Sequence, residues 1–348
     1  MKYPYIIAEI GANHNGDMDL AKRLIKKAKE CGADCVKFQL YHSGELNTRD
    51  HLINLDKGVM RLENVAEWKT KELGLSSIFE QGKKFMAQEP EHIEFFNYAR
   101  EIGIDYATSV FSKSAVDFCI EQKTKFIKVA SCDALNLDLI EYIISKDYPV
   151  IIALGMCSLG EVEQIVNLVP NKYRHNVTLL HCVSIYPPQD DIVNLNFIQT
   201  LKQAFELPVG FSDHTIGTTI PLAAITMGAS VIEKHFTLDK DMPGWDHKVS
   251  ANPEEMAFLC SESKRIMHAL GSGFKVVSQA EIEKRLKFRR GLVINRPMKA
   301  GQTIVYEDLA CKRPGTGIPA DRMKEVIGRR VNHDFEADKT LFWEDLVK

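Results

Sequence analysis

The chain has 348 residues, of which 45% are apolar and 26% charged, and its net charge is −3. That length accommodates one large domain of about 250 residues plus a small one, or two of ordinary size, and a chain with no basic block is not built to take nucleic acid as its main partner. No apolar run approaches the roughly 18 residues of a membrane span, so a small metabolite is the expected partner.

The first apolar run, 5–11, carries Glu9 only a few residues in and no small-residue cleavage site, so it reads as a first strand and not as a signal peptide. Further β-branched runs follow at 35–40, 106–110, 126–131, 150–155, 177–183, 209–214 and 231–236, which makes eight. Helical patterns lie between them: 20–31, with Ala21, Leu24, Ile25 and Ala28 on one face, then 93–102, 114–121, 137–145, 161–168, 195–205 and 219–227. A closing helix is expected over 253–270. Eight βα units in series predict a closed parallel (β/α)8 barrel, in preference to an open doubly wound sheet with extra strands. The segment 41–90 is too long for an ordinary loop, and its pieces 66–73 and 77–85 look helical, so it is expected to form an ordered excursion over the barrel mouth that holds substrate.

From 276 to 289 the sequence becomes strongly charged and reads as a linker beginning with a short helix. The rest, punctuated by Arg296-Pro-Met-Lys-Ala-Gly301 and Arg313-Pro-Gly-Thr-Gly317, predicts a small, mostly irregular β domain. The expected division is barrel 1–272, linker 273–289 and small domain 290–348. The eight cysteines are scattered, mostly in apolar runs, and read as buried, reduced thiols suited to the cytoplasm. Cys132, beside polar residues at a strand end, is the one to watch as a nucleophile.

The chemistry gathers at strand ends, where barrels of this kind place it. A right-handed βαβ unit over 208–236 brings His214 and His235 to one face, where they could share a metal. The plain alternative is one satisfied histidine and one facing solvent. The other ends carry Glu9, Lys37 with Gln39, Thr108 with Ser109, Lys128 with Ser131 and Asp133, Ser184 with Tyr186, and Ser212. Taken singly, each could be a polar side chain decorating the surface. As a set they have a logic: lysines leaving apolar strands are costly to bury without anions, and hydroxyls beside them suit phosphate or carboxylate oxygens. Two imidazoles supply nitrogen ligands for a divalent first-row metal, and Glu9 is a candidate base. This pattern points to lyase or transferase chemistry on a phosphorylated acid.

At these residues the chain resembles the sialic acid synthase family, whose members make N-acetylneuraminate, legionaminate or pseudaminate. The resemblance rests on Ile7-Ala-Glu-Ile-Gly-Ala-Asn-His-Asn-Gly16, Val36-Lys-Phe-Gln39, Phe126-Ile-Lys-Val-Ala-Ser131, Gly210-Phe-Ser-Asp-His-Thr215 and Ile232-Glu-Lys-His-Phe236, and extends through Pro243-Gly-Trp-Asp246 and Lys312-Arg-Pro-Gly315. It implies a barrel followed by an antifreeze-like (SAF, β-clip) domain. The implied reaction joins phosphoenolpyruvate to an N-acylated amino-sugar aldehyde, giving a nine-carbon 2-keto acid and phosphate. The implied cofactor is a divalent ion, manganese foremost, with magnesium or cobalt as substitutes. By position, His214 and His235 would be its ligands, and Lys37, Lys128, Ser131 and Ser212 would hold phosphoenolpyruvate. Glu9 would handle the water or proton at C2, Gln39, Tyr186 and Asp246 would meet the sugar, and Arg313 would reach into a neighbouring subunit's site. A small domain buries little core alone, and the charged linker is long enough to carry it to a partner, so a domain-swapped homodimer is expected.

Three positions depart from the family pattern. Ala153 stands where a serine is usual, Ser184 where an asparagine is usual, and Asp133 where a glutamate is usual. With Trp245 and His247 also near the sugar, the acceptor is left open among the N-acetylmannosamine and 2,4-diacetamido-trideoxyhexose types. Two other classes compete: a Schiff-base pyruvate aldolase working through Lys128, and a non-catalytic barrel carrying an ice-binding-like domain.

Overall fold

The computed structural model describes residues 3–40 and 87–347. The helices expected over 66–73 and 77–85, and with them nearly all of the 41–90 excursion, lie outside the described residues. The chain divides into two units, Met1–Gly271 and Ser272–Lys348.

In the first unit eight parallel strands close on themselves in sequence order: β1 (Tyr5–Glu9), β2 (Cys35–Leu40), β3 (Asp105–Val110), β4 (Ile127–Val129), β5 (Val150–Ala153), β6 (Val177–Cys182), β7 (Val209–Asp213) and β8 (Val231–His235). β8 pairs back onto β1, with His235 opposite Glu9. The expected barrel is therefore the observed one. Most strands end a residue or two earlier than their apolar runs suggest. Ser131–Asp133, for example, forms a 3-10 turn beyond β4.

Sequence sets the flanking helices. In α1 (Met18–Glu30), Asp17 caps the first turn by accepting from the amides of Asp19 and Leu20, and Leu20, Ala21, Leu24, Ile25 and Ala28 form the buried face. The closing helix α8 (Pro253–Leu270) begins with a reciprocal capping box between Asn252 and Glu255. Between them run α2 (Glu89–Ile102), α3 (Lys113–Glu121), α4 (Leu137–Ser145), α5 (Leu159–Asn167), α6 (Phe197–Phe205) and α7 (Thr219–Thr226). Their apolar faces and the outward-facing strand residues make one core layer, which includes Ala8, Val36, Phe38, Ile127, Ile152, Phe211 and Ile232.

The second unit begins with a helical segment, α9 (Gln279–Phe288), capped by Ser278 and without a buried residue. Its sheet has the order β10 (Leu309–Lys312), β9 (Gly291–Ile294), β12 (Lys339–Thr340), all antiparallel, and β11 (Arg330–Val331) pairs with β13 (Leu346–Val347). A separate core of Leu292, Ile294, Met298, Ile304, Leu309, Ile318, Val331 and Leu341 holds it together.

Candidate active site

Inside the barrel the side chains form two storeys. The lower is apolar and includes Ile7, Cys35, Ala107, Phe126, Leu180 and Val231. Because strand residues two apart share a face, the next inward positions on these strands are Glu9, Lys37, Ser109, Lys128, Cys182 and Glu233. All six line one cavity of about 280 Å³ at the C-terminal mouth. Gln39, Ser131, Ser184, Tyr186, Ser212, His214, His235, Trp245 and Asp246 also line it. Of the residues expected in the site, Asp133 lies two positions past Ser131 in the 3-10 turn and is not in the lining, and Arg313 belongs to the second unit.

The two lysines are buried, and the anions they require come partly from the protein. Lys37 Nζ lies 2.6 Å from Glu9 Oε2, donates to Ser109 Oγ at 3.0 Å and is 3.9 Å from Glu233 Oε1. Lys128 Nζ donates to the same Glu233 oxygen at 3.3 Å, and Ser212 Oγ donates to it at 3.1 Å. Burial works against the charge on Lys37, but Glu233 and Glu9 outweigh it and hold its pKa above the ordinary lysine value. Burial likewise opposes the charge on Glu233, yet Lys128 and Lys37 hold its carboxyl well below the usual range. Glu9 Oε1 accepts from Gln39 Nε2 at 2.9 Å, so the candidate base is held on both oxygens.

Glu233 is the residue that strand-end reasoning misses. Its signal was in the sequence: it precedes His235 by two, so if the histidine faces inward the glutamate must too.

The histidines meet as expected, with ring centroids 5.5 Å apart. His214 Nδ1 is 2.8 Å from the Val183 carbonyl, an acceptor only, so Nδ1 carries the proton and Nε2 keeps its lone pair. Burial, and then His235, lower the His214 pKa to about 3, which keeps the ring neutral as a metal ligand must be. His235 Nδ1 is buried without a hydrogen bond and lies 3.8 Å from Asp246 Oδ2. Tyr186 stacks on His214 at 3.9 Å between centroids. Among the described residues no group of three or more His, Cys, Asp or Glu is gathered as a metal cage. The two imidazoles alone, with Asp246 beside His235, would make an open site whose other positions fall to water or substrate oxygen.

Four buried polar atoms of this cavity, Glu9 Oε2, Ser184 Oγ, Glu233 Oε2 and His235 Nδ1, have no hydrogen-bond partner, although the first lies beside Lys37 Nζ as an ion pair. Buried polar groups are normally paired, and orphans collected in one cavity mark where a ligand's polar atoms belong. Gly155 brings the backbone against this corner: its N–H donates to Ser131 Oγ at 3.1 Å, and a Cβ there would collide with the hydroxyls of Ser131 and Ser184. Ala153 adds only a methyl to the lining, as its sequence departure implies.

Two further expectations find little support in the geometry. Cys132 lines the mouth, but its thiol is shifted up by desolvation and then by Asp133, the reverse of an activated thiolate. Lys128 is ion-paired with Glu233, the arrangement of an anion-binding group and not of a free-amine nucleophile. In the second unit Arg313 is exposed, with Nε donating to the Phe288 carbonyl at 3.2 Å and its guanidinium 5.4 Å from the Phe288 ring centre.

Comparison with known proteins extends the picture. Residues 24–275 match the model of the NeuB family and residues 289–347 that of the SAF domain. The N,N'-diacetyllegionaminic acid synthase of Legionella pneumophila is 39% identical, over 98% of this chain and 94% of that protein. The pseudaminic acid synthase of Helicobacter pylori is 30% identical, over 99% and 98%. Among solved structures, the N-acetylneuraminic acid (sialic acid) synthetase of Leptospira borgpetersenii, determined with citrate, is 34% identical, covers 81% of this chain and 90% of its own, and superposes with a TM-score of 0.68.

Proposed function

The chain belongs to the NeuB family, and on that premise we propose that it condenses phosphoenolpyruvate with an N-acylated amino-hexose to a nine-carbon 2-keto acid, releasing phosphate. The observation that carries this reading is the pair of buried lysines, Lys37 and Lys128, sharing one cavity with the hydroxyls of Ser109, Ser131 and Ser212 and with two histidines. A ligand bearing both a carboxylate and a phosphate needs two cations in a poorly solvated site, where charges are little screened.

His214 and His235 hold a divalent ion in this reading, manganese foremost with magnesium or cobalt as substitutes. When bound, such an ion supplies Lewis acidity toward the aldehyde oxygen of the open-chain sugar. Lys37, Lys128 and the three serines orient phosphoenolpyruvate with C3 toward that aldehyde. A bond forms between C3 and the sugar's C1 as the aldehyde π pair moves to its oxygen, which takes up a proton to become a hydroxyl. Water adds at C2 and gives one proton to Glu9, and the C2–O bond to phosphate breaks as the new C2 hydroxyl gives up its proton to become the ketone. Gln39, Tyr186, Ser184 and Asp246 meet the sugar, and Asp133, outside the lining, does not. The acceptor we favour is a 2,4-diacetamido-trideoxyhexose, a choice supported by the higher identity to the N,N'-diacetyllegionaminic acid synthase than to the N-acetylneuraminic acid synthetase, 39% against 34%, and by the unpartnered Ser184 hydroxyl, free to bond a second acylamino group.

The second unit docks on a partner's barrel in this proposal and presents Arg313 there as a planar bidentate donor. The protein is expected to work in the cytoplasm; among the described residues no helix is long and apolar enough to cross a membrane.

The test is phosphate release from phosphoenolpyruvate with a panel of 2-acetamido and 2,4-diacetamido hexoses, with and without chelator. Turnover is expected with a diacetamido acceptor and should vanish on chelation. Failure of every acceptor to release phosphate overturns the reading.

A further inference from the structure

Behind the two histidines, on the opposite face of the same strands, lies a second ion pair. Asp213 and Lys234 alternate with the inward-facing Ser212, Glu233 and His235 and so point away from the cavity, whose lining includes neither. Both side chains are fully buried, at 0% exposure, with Lys234 Nζ 2.6 Å from Asp213 Oδ2. The same ammonium donates to the Thr215 carbonyl at 2.8 Å. The other Asp213 oxygen accepts from the Thr215 amide at 3.0 Å and from its hydroxyl at 2.8 Å.

Asp213 opposite Lys234 is the last rung of the β7–β8 ladder. Past it no β7–β8 pairing joins His214 to His235, although His235 stays paired with Glu9 on β1. The side-chain network takes over: Lys234, whose backbone leads directly into His235, grips the residues on either side of His214. The two rings differ in how else they are held. His214 is tied to the Val183 carbonyl, whereas His235 Nδ1 has no hydrogen bond, so the placement of His235 relative to His214 depends on the backbone. Stability alone is a poor reason for this pair, because a well-packed apolar pair stabilises a buried site at least as well as two desolvated charges.

We propose that Asp213, Lys234 and Thr215 are positioning residues that set the spacing of His214 and His235 for a divalent ion, an inference resting on the reading of those histidines as metal ligands. The test measures Mn2+ binding by loss of the free-ion EPR signal, with thermal melting and phosphoenolpyruvate binding as separate readouts, on the full chain. Two variants are compared with wild type: Asp213→Asn/Lys234→Met, which removes both charges while keeping volume and the acceptor for Thr215, and the milder Thr215→Val, which serves if the first does not fold. Removing support behind a metal ligand weakens metal affinity about 10–100-fold, so a loss of about tenfold is expected for the double variant. A smaller loss in the same direction is expected for Thr215→Val, with phosphoenolpyruvate affinity changed less than twofold. A folded variant that keeps wild-type Mn2+ affinity, or loses metal and phosphoenolpyruvate affinity in equal measure, overturns the proposal. If wild type itself binds no Mn2+ yet binds phosphoenolpyruvate, the metal reading of the histidines is what has failed, and the positioning role falls with it.

Discussion

Replacing Glu233 by glutamine tests the anion cradle most directly, because the structure fixes the sign of the outcome. Its Oε1 sits 3.3 Å from Lys128 Nζ and 3.9 Å from Lys37 Nζ. At an effective dielectric of about 20, unit charges at those distances attract by about 5 and 4 kcal/mol before desolvation is counted. Lys37 keeps Glu9 at 2.6 Å, but Lys128 is left without a counter-charge. Breaking a buried pair by removing one partner costs about 3–5 kcal/mol, so Glu233→Gln should melt roughly 10 °C below wild type. Phosphoenolpyruvate brings the missing negative charge. At a hundredfold excess over its dissociation constant it should add about 2.7 kcal/mol to wild type. If the unmatched lysine tightens binding tenfold, the same concentration should add about 4.1 kcal/mol to the variant. Thermal shifts of both proteins, with Mn2+ and with and without ligand, decide the matter. A variant that is destabilised but gains no more from phosphoenolpyruvate than wild type does would show that Lys128 does not face the ligand.

Three other outcomes follow from the site and its surroundings. His214→Ala and His235→Ala should each fold, lose retained metal and lose turnover; full metal-dependent activity in both would remove the metal from the reading. His14 and His92 are kept neutral by burial, with pKa values lowered to about 4 and about 3. The unfolded chain, with histidines near 6.5, therefore takes up protons first, and stability present above that pH is lost as pH falls toward 3–4. Each should remove about 1.4 kcal/mol between pH 7.5 and 5.5, read from melting curves, and a flat profile would contradict the burial. Finally, on the proposed domain-swapped pairing, Lys128→Ala and Arg313→Ala proteins should both be nearly inactive. When mixed, half the molecules pair as heterodimers with one intact site, so about a quarter of wild-type activity returns; subunit exchange seen by mass without that recovery would place Arg313 in its own chain's site or in none.

The barrel was legible because its strands are short β-branched runs set between amphipathic helices, a pattern that depends on local periodicity alone. Lys37, Lys128, His214 and His235 were legible for a related reason: a charged or imidazole side chain ending an apolar run has few places to go but the mouth. The run Ile232-Glu-Lys-His235 defeats that rule, since three polar residues in succession cannot all be read as one strand end. The period-two alternation, applied downward from His235, sets Glu233 on the same face, and in the closed barrel both line the cavity while Lys234 does not. Nor could the sequence foresee that Glu9 and Glu233 neutralise the lysines, because these pairs join residues from different strands. Lys128 and Glu233 are 105 positions apart.

The two storeys of the barrel interior govern what kinds of genetic change the site can absorb. Glu9, Lys37, Ser109, Lys128 and Glu233 each stand two residues above a floor residue, as Lys37 stands above Cys35 and Glu233 above Val231. A single codon gained or lost within a strand rotates everything beyond it by half a turn, burying the reactive side chain among the helices and pushing an apolar one into the cavity. The loops above carry no such parity. New acceptor preferences can therefore arise through insertions and deletions around the rim, while the strands beneath accept only substitutions.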